Sequence, residues 1–461
     1  MTLVEANEPW LGKMPADWKR SRIRNEALLS PGFSSDSPMP TETCAVVPME
    51  SLSTDGAVDF SNQLPFEEIP PGLTLFEPGD VLFAKITPCM ENGKGALVHE
   101  LPTRYAFGST EFHVLRPSHG LDGRFLYYAA FNPTFRAYAA ENMTGAAGQK
   151  RVSSRFLKDT RLFLPPLPEQ QRIAAYLAAS CAAIDAAVAA KRRQLETLDA
   201  LRKSIIQRAV TRGISARVAL ESTANAWMEQ IPRGWKLVCL KRIAEIQGGL
   251  TLGKQYEGPL IERPYLRVGN VQDGHLDLAD VSVIELPASV AASVELRPDD
   301  VLMTEGGDLD KLGRGYLWKG EIPGCLHQNH IFAVRCFPHK LKPMFLAYVT
   351  AAKYGRDYFE ATGKKTTNLA CTNATKVGEF AIPLPPLTEQ EAICVHLDEK
   401  LGELKRIVTG IESQIATLTA YRKSLIHECV TGQRRISEAD VPRAEARASR
   451  AAAIDHDRLR P

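Results

Sequence analysis

At 461 residues the chain is longer than one hydrophobic core normally fills, so two or more domains are expected. With 44% hydrophobic and 24% charged residues and a formal net charge of +2, a global basic field is excluded, and any affinity for nucleic acid has to come from local patches. Nine scattered cysteines with no C-x-x-C pair exclude a disulfide scaffold and point to reduced thiols in a cytosolic protein.

The opening MTLVEANEPW has an early acid and no apolar run, which is not the pattern of a secretory leader and predicts a cytoplasmic protein. Residues 1–163 read as a first globular domain of mixed α/β character, with Trp18 in its core. At Leu164 the pattern changes. Pro165, Pro166 and Pro168 hold off the start of a helix, and Glu169-Gln170 fall in its first turn, where an acid suits the helix dipole. From there apolar residues recur at alternating steps of four and three: Leu177, Cys181, Ile184, Val188, Leu195, Leu198, Ile205 and Ala209, with Lys191 and Arg202 as polar interruptions. The alanine-rich run Ala174 to Ala190 is broken by Asp185 and followed at once by Lys191-Arg-Arg193, so it predicts a packed helix over residues 164–213 and not a membrane span.

Residues 214–383 form a second domain, with Trp235 standing where Trp18 stands in the first. Gly248-Gly-Leu-Thr-Leu-Gly-Lys254-Gln255 has the spacing of a phosphate-binding loop. It ends in Gln, without the hydroxyl that holds magnesium, so a turn into a surface loop is expected. At Leu384 the proline-rich motif of Leu164 returns. Leu164-Pro-Pro-Leu-Pro-Glu-Gln170 becomes Leu384-Pro-Pro-Leu-Thr-Glu-Gln390, displaced by 220 residues, and the match continues without a gap to Val430-Thr431. The second stripe is Leu397, Leu401, Leu404, Val408, Ile411, Ile415, Leu418, Leu425 and Cys429, with Arg422 as its polar member. Fainter echoes lie upstream: Pro78-Gly-Asp-Val-Leu82 with Pro298-Asp-Asp-Val-Leu302, and Met14-Pro-Ala-Asp-Trp18 with Ile231-Pro-Arg-Gly-Trp235. Residues 384–432 are thus a second helix. The tail 433–461, rich in arginine and alanine and without aromatics, is expected to be disordered or loosely helical.

A 3.5-residue period held this long, in two copies of equal length and register, predicts an antiparallel coiled coil in preference to two helices each docked on its own domain. The two α/β domains would then sit at opposite ends of a rod about 65 Å long, related by a pseudo-twofold axis. Enzyme motifs are missing. There is no N/D-P-P-Y/F methyltransferase tetrapeptide, no G-x-G-x-x-G after a strand and no P-D…E-x-K nuclease core, so no catalytic residue and no cofactor is expected. His327 and His330 do not show the ligand spacing of a metal site, so no metal site is expected either.

P-L-P-E-Q-Q-R-I-A-x-x-L, recurring after a second variable region, resembles the type I restriction–modification specificity (S) subunit, and the likeness covers residues 10 to 433. Gly79 to Lys94, Phe107 to Phe112 and Gly145 to Val152 resemble one variety of target-recognition domain; Asp300 to Asp308, Leu312 to Gly315 and His327 to His330 resemble another. The resemblance implies a non-catalytic subunit whose two variable domains each read half of a split target on double-stranded DNA. It also implies helical repeats that dock methyltransferase (M) subunits, two of them expected, with translocating restriction (R) subunits joining that core. Two alternatives stay open: a specificity subunit of another methyltransferase-based defence system, or a coiled-coil scaffold whose end domains bind proteins.

Within that resemblance the candidate DNA contacts are loop amides and cations, since Gln and Asn pair with adenine, Arg and Lys with guanine, and either cation with phosphate. In the first domain these are Lys85, Asn92, Lys94, Gln149, Lys150, Arg151 and Arg155; in the second, Lys311, Arg314, Gln328, Asn329, His330, Lys364, Lys365, Thr366 and Asn368. Each is equally readable as a solvated surface residue, and Gln328-Asn329 as the cap of a strand end. Gly363-Lys-Lys-Thr-Thr-Asn368 is expected where the first domain has Gly148-Gln-Lys-Arg151.

Overall fold

The computed structural model describes residues 2–457 except 34–35, 147, 216, 308–310 and 366–369, so Thr366 and Asn368 lie outside the described residues. The chain is mixed α/β and divides into two compact units. Unit 1 is residues 1–192 with 412–461, and unit 2 is residues 193–411.

In unit 1 an antiparallel four-stranded sheet runs in the order Ala27–Leu29, Phe112–Pro117, Val81–Ala84, Gly95–Leu97. A second four-stranded sheet contains Thr43–Val47 paired in parallel with Ala106–Gly108. In unit 2 the corresponding antiparallel sheet is Ala244–Gly248, Ile331–Cys336, Val301–Thr304, Gly315–Leu317, and the parallel pair is Ile261–Leu266 with Leu326–His327. Val81–Ala84 and Val301–Thr304 are buried along their whole length, as continuous apolar runs in central strands should be.

The echo around Pro78 and Pro298 marks the same device in each sheet. Asp80 and Asp300 are buried, and each carboxylate takes two hydrogen bonds from one arginine: Arg116 at 2.8 and 2.7 Å, and Arg335 at 2.9 and 3.2 Å. Each also accepts a backbone N–H three residues upstream, from Glu77 at 2.8 Å and Arg297 at 2.9 Å. The residue before each Asp has positive φ, +92° at Gly79 and +73° at Asp299, where Gly and Asp are the tolerant residue types.

The first long helix, Leu167–Arg212, contributes to both units, as does the second, Leu387–Val430. By length and composition the first is apolar enough to cross a membrane. Its Ile173, Ala174, Leu177, Cys181 and Ile184 instead share the unit 1 core with Leu425, Ile426, Cys429 and Val430 of the second helix. There Arg422 pairs with Asp185 at 3.0 Å. In unit 2, Ile206, Ala209 and Val210 share a core with Ile393, Cys394 and Leu397.

The repeated Glu-Gln fastens helix to domain. Gln170 is buried, accepts the Asp122 N–H at 2.9 Å and donates to the Gly120 and Pro165 carbonyls at 3.1 and 2.9 Å. Gln390 repeats every bond, accepting from Lys342 N at 2.8 Å and donating to Lys340 and Pro385 at 3.0 and 2.9 Å. An amide with all three partners fixed leaves no buried polar group unsatisfied, which explains why the motif needs Gln where Leu would pack as well. Trp18 and Trp235 are core residues, each 4% exposed, and the Trp235 indole donates to Glu389 at 3.1 Å.

The tail is helical, one of the two states its composition allowed. Asp440–Asp457 is a regular helix, and the segment before it is tied to unit 1. Arg435 bridges Asp17 at 2.7 Å and Glu169 at 3.2 Å, Arg434 pairs with Glu428 at 2.9 Å, and Ile436 is buried. Alanine and arginine are strong helix formers, and one apolar anchor with three ion pairs gives the helix a fixed start.

Candidate nucleic-acid interface

In unit 1 the central strand ends in Lys85-Ile86, and two other segments close on it. Lys85 N donates to Glu111 O at 2.9 Å, Val152 N to Lys85 O at 2.9 Å, and Ile86 bridges to Arg151. Thr87 Oγ1 donates to Gly148 O at 2.6 Å and accepts the Lys150 N–H at 3.1 Å. This frame brings the side chains of residues 85, 111 and 151 to one edge. Arg151 forks onto Glu111, with Nε at 3.0–3.1 Å and Nη2 at 2.8 Å, and Lys85 reaches the Thr110 carbonyl at 2.5 Å. Hydrogen bonding from Arg151, helped by the charge of Lys85, holds the Glu111 carboxyl below its usual range.

Unit 2 builds the same frame. Glu305 N donates to His330 O at 2.9 Å, Thr372 N to Glu305 O at 2.8 Å, and Gly306 pairs with Cys371. Residues 305, 330 and 371 therefore stand where 85, 111 and 151 stand in unit 1. The backbone bonds match and the side chains do not: Lys85, Glu111 and Arg151 are replaced by Glu305, His330 and Cys371. His330 Nδ1 lies 3.0 Å from Glu305.

The expected contacts sort as follows. Lys85, Gln149, Lys150 and Arg151 come together. Arg151 is not a free cation as its sequence context suggested, because Glu111 engages its fork. Lys94 turns to the Met49 carbonyl at 2.9 Å, Asn92 is exposed at the far end of the 85–94 loop, and Arg155 is 93% exposed, 3.9 Å from Asp159. In unit 2, His330 joins the frame. Gln328 and Asn329 lead into it with their backbone N–H groups bound to Leu266 and Leu250. Gly249 abuts this turn, where a Cβ would come within 2.3 Å of the Gln328 carbonyl; that close approach accounts for the phosphate-loop look-alike. Lys364 pairs with Cys371, as Thr144 pairs with Arg151. The Gly363 segment is thus in register with Met143-Thr144, a correction to the alignment with Gly148-Gln-Lys-Arg151. Lys365 continues that strand, and Lys311 is exposed at a turn whose carbonyl takes Thr304 Oγ1 at 2.7 Å.

Arg314 lines a separate cleft of about 350 Å³ with Arg202, Lys203, Lys353 and Arg356. Asp273 sits among them, 2.7 Å from Arg202 and 2.6 Å from Arg356. Burial pushes its carboxyl up, but the two arginines outweigh this and hold it low. Glu111, Glu305 and Cys371 are neither cations nor amides, and so escape a sequence reading built on those groups. Their one sequence signal is position, since each follows or precedes a strand end at a matching place in both copies. Among the described residues no cluster of three potential metal ligands is present.

Beneath the unit 1 frame, His113 is buried with Nε2 2.8 Å from the Val152 carbonyl, to which that nitrogen donates. Burial holds it below its ordinary value of about 6.5. The unfolded chain therefore binds the proton more readily, and stability present above that value should fall as pH drops through the window beneath it. His113→Phe, which installs the residue found at the matching Phe332, should flatten that slope in urea unfolding measured between pH 7 and pH 5. An unchanged slope would assign it to other groups.

The profile of the type I restriction modification DNA specificity domain matches residues 73–197, which span the unit 1 frame and the start of the first long helix. The chain is 33% identical over 174 residues to the Escherichia coli type I restriction enzyme EcoAI specificity subunit, covering 37% of this chain and 29% of that protein. It is 32% identical over 176 residues to the EcoEI specificity subunit of the same species, covering 38% and 29%. A solved chain described under complex assembly and conformational transition of the type I R-M system superposes with a TM-score of 0.72 over 92% of this chain and all of its own length; at 19% identity that likeness concerns the fold. The protein class is thereby defined as one carrying a type I DNA specificity domain. Over that stretch the chain is similar to type I restriction–modification specificity subunits, and the stretch spans under a third of the length of the first two relatives.

Proposed function

We propose that this chain is the DNA-reading, non-catalytic subunit of a type I restriction–modification enzyme, with one half of a split target read by each unit. The observation that carries the reading is the duplicated frame with unlike tips: one backbone built twice, presenting different hydrogen-bonding groups. Two long helices with matching stripes, packed against each other antiparallel as a coil, would set the spacing between half-sites. They would also offer the surface on which methyltransferase subunits, two of them, and then restriction subunits assemble. Base readout by this chain would direct where the partner extrudes and methylates adenine.

The test is methylome sequencing of cells that express the chain with its methyltransferase partner. The expected result is one two-part motif. Exchanging residues 15–160 for their equivalent from a related subunit should change one half of it. A swap that changes both halves together, or methylation without a two-part motif, would overturn the reading.

A further inference from the structure

Resting on that reading, we infer that specificity within each half-site is set by the three tip positions, 85, 111 and 151 in unit 1 and 305, 330 and 371 in unit 2, and that the unit 1 tip reads a G·C pair. Three observations converge. The backbone bonds that place the positions are the same in both units, from residue 85 to 111 and 152 and from 305 to 330 and 372. The supports behind them are also the same, a buried aspartate under an arginine fork in each sheet. The tips change chemistry completely: cation, acid, cation in one; acid, imidazole, thiol in the other. A scaffold that keeps its backbone bonds and its aspartate–arginine support while three converging edge positions vary is built to present interchangeable hydrogen-bond patterns.

The unit 1 pattern is specific. Glu111 spends part of its acceptor capacity on Arg151 and keeps the rest, while Lys85 gives one N–H to the Thr110 carbonyl and Arg151 Nη1 one to the Gln149 carbonyl at 3.4 Å, each group carrying further N–H donors. Adjacent cationic donors and a carboxylate acceptor match guanine O6 and N7 beside the cytosine N4 amino group in the major groove. An A·T pair also offers two acceptors and one amino donor, but it places the amino group between the acceptors and adds a methyl group, so two adjacent cationic donors meet one acceptor and one donor. In unit 2 the acid has moved to position 305, with His330 beside it, so the same frame faces a base pair with the acceptor on the other strand end.

The experiment uses the full chain co-expressed with its methyltransferase partner. It reads the methylome and competition binding by duplexes that each carry one base change. Glu111→Gln keeps the size of the side chain, frees Arg151 and favours adenine. It should lower the preference for G·C over A·T at one position of one half-site about 10-fold or more, leaving the other half-site as in the wild type. His330→Gln should do the reverse, altering only the second half-site, and serves as the independent variant if Glu111→Gln fails to assemble. Unchanged base preference in both variants, with normal assembly, would overturn the inference and reduce the tips to edge ion pairs. Failure of the underlying reading is distinguishable, because it would appear already in the wild type as methylation or duplex binding without sequence preference.

Discussion

Replacing Asp300 with alanine is expected to destabilise unit 2 by about 3 kcal/mol, because it leaves the largely buried Arg335 guanidinium with the Glu295 carbonyl but without its carboxylate. The carboxylate is 1% exposed, binds Arg335 twice and also accepts the Arg297 N–H. Among the described residues it is the acid that Arg335 pairs with. The matching Asp80→Ala in unit 1 should cost less, since Arg116 keeps a second acid, Glu77, at 3.0 Å. Urea unfolding with hydrogen exchange read on peptides from each unit measures both. Equal losses at the two sites would show that Glu77 does not substitute. Replacing Asp300 and Arg335 together by leucine and methionine should recover most of the loss, because a buried pair contributes little net stability over apolar residues of similar volume.

Leu177→Ala and Leu397→Ala are expected to cost about 2–5 kcal/mol each, in different places. Both side chains are fully buried and stand 220 residues apart on matching helix positions, Leu177 in the unit 1 core and Leu397 in the unit 2 core. Hydrogen exchange should therefore speed up in unit 1 for the first variant and in unit 2 for the second. Aspartate at either position adds an unpaired buried charge and should abolish the affected unit's cooperative unfolding transition. Exchange rising equally in both units for either alanine variant would contradict two separate cores.

Periodicity along one element is visible in a sequence because burial of a helix face imposes the same residue type every three or four positions. The two long helices, the proline-bounded start at Leu164 and Leu384 and the duplication itself were legible for that reason. The buried aspartates 80 and 300 announced themselves as an echo, though their role did not. Other features depend on which distant segments meet. That Arg151 is engaged by Glu111, that Lys364 answers to Thr144, and that Arg435 fastens the tail to Asp17 and Glu169 are pairings across the chain, set by strand register and packing. No local pattern encodes them, because a surface acid beside a strand end looks the same whether it faces water or an arginine. The repeat of residues 164–211 at 384–431 is written in the chain and announces two copies of one plan; which six side chains share the two matching edges follows from the closed backbone frame, which alone brings residues so far apart in the chain within hydrogen-bonding distance.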